Sequence, residues 1–261
     1  MNGAAELNCS IIDQLCLGAA HYLLKLEAAD LSEAVSPGQF AMLRCGEGLD
    51  PFLRRPLSIH QVERKQGIVS FLYRVKGKGT RWLSQRVAGD KISLLAPLGR
   101  GFSVSPGGGR GLLVGAGVGV APLLFLASEL AAQGWELVTL IGAGAAAEIL
   151  RPDAFMDYGI VKTATDDGSA GIKGTILDLL SRELEQSSCD MLFACGPLPV
   201  LQGVQRMSKH KGIAAELSLE ERMACGVGAC LGCACRDAGG EYVRICREGP
   251  VFSAGEVVID V

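Results

Sequence analysis

Five of the ten cysteines in this chain lie in its last fifth, and four of them have the pattern Cys225-x4-Cys230-x2-Cys233-x12-Cys246. The first three have the plant-type spacing of thiolates that hold a 2Fe–2S cluster, with the fourth thiolate supplied from further along. Three glycines lie between Cys225 and Cys233. Because glycine has no Cβ, such a loop can fold tightly and direct backbone N–H groups at the sulfur atoms. The spacing predicts a one-electron carrier.

Other uses of these cysteines fit the pattern less well. Structural zinc sites usually take two pairs of ligands at short spacing, unlike the x4 gap and the single distal Cys246. Disulfide frameworks belong mainly to small secreted domains, whereas this chain has 261 residues and cysteines within apolar segments. Zinc, disulfides and unused thiols stay open as alternatives. Cys235 could replace Cys233 as a ligand, but the x2 spacing favours Cys233.

Length and composition limit the possible partners. A length of 261 residues suggests two domains and a small third one. The formal charge of −3 and the pI of about 5.7 give no electrostatic basis for nucleic-acid binding. No run approaches the roughly 18 uncharged apolar residues of a membrane span. We expect a cytoplasmic protein without nucleic-acid or membrane partners.

Two hydrophobic patterns divide the chain. In residues 1–103, short apolar strands alternate with turns, which predicts a six-stranded antiparallel barrel. Thr80 is expected to cap a helix that starts at Arg81. In residues 104–212, strands alternate with helices, which predicts a doubly wound parallel sheet. Residues 213–261 form a small Cys- and Gly-rich domain, so the predicted fold class is multi-domain, β followed by α/β.

Two loops of the second domain are candidates for nucleotide binding. The first joins a strand to a helix and contains Gly115, Gly117, Gly119 and Pro122. Its glycines allow a diphosphate to approach the backbone and the helix N-terminus, although the strict G-x-G-x-x-G fingerprint is absent and a plain tight turn is the alternative. The second loop, Cys195-Gly196-Pro197, follows another apolar strand and is expected at the same crevice. Cys195 could instead be a small buried hydrophobic residue.

Two segments of the first domain suggest a flavin site. Arg54-Arg55-Pro56-Leu57-Ser58 places guanidinium groups, which suit bidentate phosphate binding, beside a strand whose Ser58 can bond to a ring. A second basic segment, from Tyr73 to Thr80, leads into the predicted helix. The alternative for these charges is a solvated basic face.

The order of these segments resembles the ferredoxin–NADP reductase superfamily and, within it, the electron-transfer subunits of NAD-dependent dihydroorotate dehydrogenase. The resemblance covers essentially the whole chain and rests on residues 55–58, 72–74, 77–80, 97–102, 115–122, 195–197, 220–233 and 246–252. It implies an oxidoreductase subunit of de novo pyrimidine (UMP) biosynthesis that works with an FMN-containing catalytic subunit, in a heterotetramer of two of each.

The resemblance also assigns the site residues. FAD is expected on Arg55, Pro56, Leu57, Ser58, Leu72, Tyr73, Arg74, Gly79 and Thr80. NAD is expected on Gly115, Gly117, Gly119, Pro122, Cys195, Gly196 and Pro197, and the cluster on Cys225, Cys230, Cys233 and Cys246. Residues 141–148 contain no Arg or Lys for a 2′-phosphate, which favours NAD over NADP.

The predicted function is electron transfer between the partner's FMN, the 2Fe–2S cluster, FAD and NAD. The three histidines lie apart in the sequence, and no acid–base group for a carbon-acid substrate is predicted. One alternative is the flavin and iron–sulfur subunit of an electron-bifurcating transhydrogenase or sulfide dehydrogenase. Another is a zinc-stabilised interaction module without enzymatic activity.

Overall fold

The structure, a computed structural model, describes residues 3–18 and 20–259. Its strands are β1 (Ala5–Gly18), β2 (His21–Glu27), β3 (Phe40–Leu43), β4 (Arg55–Glu63), β5 (Ile68–Arg74), β6 (Lys91–Leu98), β7 (Gly109–Ala116), β8 (Trp135–Ala143), β9 (Ile160–Thr165), β10 (Ile172–Lys173), β11 (Met191–Cys195), β12 (Ala214–Ser218), β13 (Ala234–Arg236), β14 (Tyr242–Arg244) and β15 (Val251–Ser253). Its α-helices are α1 (Ala29–Ala34), α2 (Lys78–Leu83), α3 (Leu123–Ala132), α4 (Pro152–Met156), α5 (Ile176–Gln186) and α6 (Leu198–Lys211).

The first six strands close into an antiparallel barrel in the order β1-β2-β5-β4-β3-β6. This confirms the predicted barrel. Its interior is filled by alternate residues of the strands, such as Leu24, Leu26 and Phe71, all fully buried, as the two-residue period of a strand requires. Closure pairs every strand on both sides, so the barrel has no free edge.

The helix between β5 and β6 begins earlier than the sequence predicts. Helix α2 starts at Lys78, and Gly77 is its N-cap. Thr80 therefore lies inside the first turn, and the prediction that it caps a helix from Arg81 was wrong. Its hydroxyl still satisfies the turn, because it accepts hydrogen bonds from the backbone N–H groups of Lys76 (2.9 Å) and Gly77 (3.2 Å).

The second unit is a seven-stranded sheet in the order β10-β9-β8-β7-β11-β12-β15. Its pairs are parallel except for β12 with β15. Helices α3 and α4 pack on one face and α5 and α6 on the other, which confirms the doubly wound arrangement. Thr175 caps α5 by accepting from the Asp178 N–H, a side-chain bond that supplies a partner to one of the free donors at a helix start.

The C-terminal region shares its core with both larger units. Strands β12 and β15 belong to the seven-stranded sheet, with β15 at its edge, so the sheet includes residues beyond 212. The cysteine segment between them packs against Met42 of the barrel. Gly226 allows this contact, because its φ is +72° and a Cβ there would lie 2.6 Å from the Met42 Cγ. The cysteine segment is thus held against the barrel wall.

Among residues 3–18 and 20–259, no helix is both long and apolar enough to cross a bilayer.

Candidate functional site

A cavity of about 480 Å³ lies on the barrel wall, between β4, β5 and the segment that follows β12. Eight residues predicted to bind a flavin line it: Arg55, Pro56, Leu57, Ser58, Leu72, Tyr73, Arg74 and Thr80. The strand pairing explains this convergence, because β4 and β5 are neighbours in the barrel. The ninth, Gly79, is buried beside the cavity rather than on its wall.

Gly79 lets the Arg55 guanidinium lie against the start of α2. A Cβ at position 79 would lie 2.7 Å from the Arg55 Nε, which is closer than carbon and nitrogen atoms normally approach. The preceding Arg54 has a different role, since it donates to the Ser93 hydroxyl at 3.0 Å and pairs with Glu6 at 2.5 Å. Of the two adjacent arginines, only Arg55 faces the cavity.

The Tyr73 hydroxyl is already engaged. It donates to the Gln14 side-chain oxygen at 3.0 Å, and its ring stacks on Tyr22 with centroids 5.7 Å apart. Burial raises the pKa of the Tyr73 phenol. The phenol is therefore held within the barrel, and its hydroxyl hydrogen is donated to Gln14.

Sequence reasoning did not assign the far wall of this cavity. It is formed by residues 219–223, which follow β12 and lead directly to Cys225. Residues 220–223 were part of the resemblance to the reductase superfamily, and that was the available signal. Neither strand nor helix periodicity marks the segment, which has no regular secondary structure.

A second cleft of about 460 Å³ lies at the carboxyl ends of β7, β8 and β11. Of the residues predicted to bind a dinucleotide, Gly117, Gly119, Gly196 and Pro197 line it. This is the crevice where parallel sheets bind nucleotides. Acidic side chains also line it, from Glu148 after β8 and Asp166 after β9.

The other three predicted residues lie behind the lining and shape it. At Gly115, a Cβ would lie 2.7 Å from Val120 Cγ1. Cys195 is fully buried, and burial raises the pKa of its thiol. Pro122 precedes α3 as its N-cap.

Gly119 brings the two loops of the cleft together. A Cβ there would lie 2.8 Å from the Cα of Gly196 and would also collide with the Cys195 carbonyl. The two loops can touch only because position 119 has no side chain.

The cavity and the cleft share a wall. Arg74, Lys76, Val118 and Glu220 line both of them. Molecules bound in the two spaces would therefore meet along this boundary, which has two cationic side chains, one acidic and one apolar.

The four predicted cluster ligands form two pairs of thiols. Cys225 lies within hydrogen-bonding distance of Cys230, and Cys246 within that of Cys233. Among the described residues, no three His, Cys, Asp or Glu side chains surround a single point as one metal ion would need. Two pairs of thiols are an arrangement in which each of two irons could take two thiolates.

Backbone N–H groups point at these sulfur atoms. Gly228 donates to the Cys246 Sγ at 3.1 Å, and the Cys246 N–H to the Cys233 Sγ at 3.4 Å. Burial raises the pKa of Cys225, but N–H groups of Val227, Cys230 and Ala229 outweigh it and lower the pKa to about 6. Such donors stabilise thiolates, the form that binds metal.

Cys235 lies outside both pairs. Its thiol is half-buried and packs against the core shared with the sheet. Burial raises the pKa of this thiol, and the nearby Cys233 adds to the effect. Burial and Cys233 also raise the pKa of the Cys246 thiol, so the observation that favours a structural role for Cys235 is its place outside both pairs.

The barrel, the crevice of the parallel sheet and the attached thiol pairs define a class: iron–sulfur reductases with the ferredoxin–NADP reductase fold. The structure of an NADH-dependent reduced ferredoxin–NADP oxidoreductase matches with a TM-score of 0.87 and 28% identity over 99% of this chain and 91% of that one. A ferredoxin–NADP⁺ reductase from Neisseria gonorrhoeae, solved with FAD and NADP, matches with a TM-score of 0.65 and 18% identity over 80% of this chain and 93% of that one.

Sequence comparison narrows this class to one family. Residues 220–258 match the iron–sulfur cluster binding domain of dihydroorotate dehydrogenase B. The dihydroorotate dehydrogenase B (NAD(+)) electron transfer subunit of Geobacillus thermodenitrificans (strain NG80-2) is 42% identical over 96% of this chain and 97% of its own. The subunit of Desulforamulus reducens is 42% identical over 91% and 92%. The chain belongs to the family of dihydroorotate dehydrogenase B electron transfer subunits.

Proposed function

We propose that this chain holds FAD in the barrel cavity, NAD(H) in the sheet cleft and a 2Fe–2S cluster on Cys225, Cys230, Cys233 and Cys246. One observation carries the proposal: the three sites follow one another without a gap. Cleft and cavity share four lining residues, and the cavity wall ends at Met223, two residues before Cys225.

The residues of the cavity suit a flavin nucleotide. Arg55 offers a planar guanidinium for a diphosphate, and Gly79 keeps the space that this side chain needs. Ser58 and the backbone of Leu72, Tyr73 and Arg74 are the polar groups for the ring system, next to the apolar Pro56 and Leu57. Thr80 holds the loop before α2 in place through its bonds to Lys76 and Gly77.

The sheet cleft suits a dinucleotide without a 2′-phosphate. Gly117 and Gly119 allow a diphosphate to reach the backbone before α3, and Gly196 and Pro197 form the opposite side. Gly115, Pro122 and Cys195 support these loops from behind. Glu148 and Asp166 would repel a 2′-phosphate, which supports NAD over NADP.

When bound, FAD would take up or release two electrons as a hydride and would pass electrons singly to or from the cluster, which carries one electron at a time. The chain's own residues position these groups. Arg74, Lys76, Val118 and Glu220 line both spaces and would orient the flavin and the nicotinamide towards each other. Residues 219–223 lie between the cavity and Cys225. The protein's contribution at the boundary is orientation.

The family assignment supports a catalytic partner subunit that carries FMN and converts dihydroorotate to orotate in pyrimidine biosynthesis. In our proposal, two copies of each subunit assemble in the cytoplasm, and electrons cross between the subunits through the cluster. The same layout would serve an electron-bifurcating enzyme, for which the structural similarity at a TM-score of 0.87 is the supporting observation.

The test uses the complex of this chain with its partner subunit, purified without oxygen. We expect flavin and iron–sulfur absorbance, bleaching by NADH in preference to NADPH, and co-purification with an FMN protein that forms orotate. Zinc in place of iron would contradict the cluster assignment. A partner that reduces ferredoxin rather than forming orotate would favour the bifurcating alternative.

A further inference from the structure

Arg244 lies at the end of β14, two residues before Cys246, and is paired with Glu248. Its backbone N–H donates to the Glu248 Oε2 at 2.8 Å and its Nε to the same oxygen at 3.0 Å. Its Nη2 donates to the other carboxylate oxygen. A guanidinium that engages both oxygens of a carboxylate has a fixed orientation.

The same guanidinium joins the two loops that carry the thiol pairs. The Arg244 Nη1 donates to the carbonyl of Gly228 at 3.2 Å. Gly228 lies between Cys225 and Cys230, and its N–H donates to the Cys246 Sγ at 3.1 Å. Arg244 thus connects the loop between Cys225 and Cys230 to the segment that carries Cys246.

The backbone of Gly228 has a conformation that favours glycine. Its φ is +80°, and a Cβ there would lie 2.8 Å from the Arg247 Cδ. A residue other than glycine rarely adopts this conformation, so a substitution would strain the loop that donates to Cys246.

The charge of Arg244 also reaches the sulfur atoms. Its guanidinium donates to Gly228, whose own N–H donates to the Cys246 Sγ, so the charge is close to the sulfur of this predicted ligand. Only 28% of the Arg244 side chain is exposed, against 53% for Arg247, so solvent and salt screen it less. A cluster held by four thiolates becomes one unit more negative on reduction, and a nearby cation favours that state.

We propose that Arg244 is a positioning residue that raises the reduction potential of the cluster, and that Glu248 is the counter-ion that limits the effect. Hydrogen bonds to the sulfurs, charge and exposure are the means by which proteins set such potentials. The inference rests on the cluster assignment in the proposed function. The electron that reduces the cluster comes from the flavin or an added reductant, and no bond is made or broken.

The test is a mediated redox titration of the anaerobic complex, followed by the paramagnetic resonance signal of the reduced cluster. Arg244→Gln is expected to lower the equilibrium constant for cluster reduction about three- to tenfold, where tenfold corresponds to about 59 mV for one electron. Glu248→Gln is expected to raise it. Arg244→Lys, which keeps the charge, should stay closer to the wild type than Arg244→Gln.

The matched control is Arg247→Gln, which makes the same change in net charge at an exposed side chain. Its shift should be smaller than that of Arg244→Gln. Equal shifts in these two variants, or no fall in Arg244→Gln, would overturn the inference. If Arg244→Gln loses its iron, Glu248→Gln still tests the inference. A reduction potential that does not rise in Glu248→Gln would contradict the proposed role of the Arg244–Glu248 pair. A wild-type protein without a 2Fe–2S signal would instead contradict the proposed function.

Discussion

The Nδ1 atom of His60 lies 2.8 Å from the carbonyl oxygen of Ala121. This bond joins barrel strand β4 to the loop that precedes α3 of the sheet domain. A carbonyl can only accept, so Nδ1 carries the hydrogen. His60 is fully buried two residues after Ser58, and Ala121 lines the same cavity as Ser58. The contact therefore fixes strand β4 relative to the loop before α3.

We expect His60→Leu to destabilise the protein, because it leaves the buried Ala121 carbonyl without a donor. The free energy of unfolding should fall by about 1–3 kcal/mol, measured by chemical denaturation. His60→Asn, whose amide can donate from a similar position, should recover part of the loss. His210 is exposed at the end of α6, and His210→Leu serves as the control. An equal loss of free energy of unfolding in both leucine variants would show that the His60–Ala121 hydrogen bond does not stabilise the protein.

The pKa of His60 predicts how stability changes with pH. Burial lowers this pKa to about 3 in the folded protein, whereas an unfolded histidine has a pKa of about 6.5. The unfolded chain therefore takes up the proton first as the pH falls. The contribution of neutral His60 is complete above about pH 6.5 and is lost towards pH 3, by at most about 1.4 kcal/mol per pH unit.

The measurement compares the free energy of unfolding of wild type and His60→Asn from pH 7 to pH 5. The advantage of the wild type should shrink as the pH falls, since only the wild type has this histidine to protonate on unfolding. Burial also lowers the pKa of His21, but His21 is present in both proteins and its effect cancels. If the free energies of unfolding of the two proteins change with pH in parallel, the lowered pKa of His60 would be contradicted.

Gly79→Ala is expected to weaken flavin binding with little effect on stability. The new Cβ would meet the flexible end of the Arg55 side chain, which can move away but then leaves its place in the cavity. We expect the flavin dissociation constant to rise about tenfold or more, in line with the loss of one charged hydrogen bond. Gly48→Ala is the control, because no atom lies within 4 Å of its Cβ and Gly48 is outside the lining of the cavity. Unchanged flavin affinity in Gly79→Ala would be evidence against Arg55 as a ligand.

Glu148→Gln is expected to reduce the preference for NADH over NADPH. Removing one negative charge near a 2′-phosphate is worth about 1 kcal/mol in a solvated cleft, or about fivefold in the ratio of the two kcat/KM values. Glu185→Gln, at an exposed position of α5, should leave the ratio unchanged. A ratio insensitive to Glu148 would place the nucleotide's ribose elsewhere.

The sequence predicted the periodic parts of this molecule and the local motifs. Barrel and sheet follow from two- and 3.6-residue periods, and Cys225–Cys230–Cys233 is recognisable because its spacing is short. The contacts that shape the site are different. Gly79 with Arg55, Gly119 with Gly196 and His60 with Ala121 join residues distant in the chain, and no local pattern encodes them.

The same limit explains two differences at the level of elements. Thr80 has the side chain of an N-cap, but the helix begins at Lys78 with Gly77 as its N-cap, and Thr80 lies at the third helical position. Strand β12 carries the buried carboxylate of Glu216, which accepts from the N–H and hydroxyl of Ser103. A charged residue inside a strand that pairs with β11 and β15 is possible only because this partner lies across the fold.

The most direct test of the proposed electron transfer from NADH through the flavin to the cluster is an anaerobic titration of the complex with NADH. The titration follows the flavin absorbance and the paramagnetic resonance signal of the cluster together. We predict that both are reduced in the wild type and in Cys235→Ser. In Cys230→Ser, flavin should still be bleached by NADH while the cluster signal is lost. The proposed electron transfer would be contradicted if NADH bleaches the wild-type flavin and never reduces the cluster. The ligand assignment would be contradicted if the cluster survives in Cys230→Ser but disappears in Cys235→Ser.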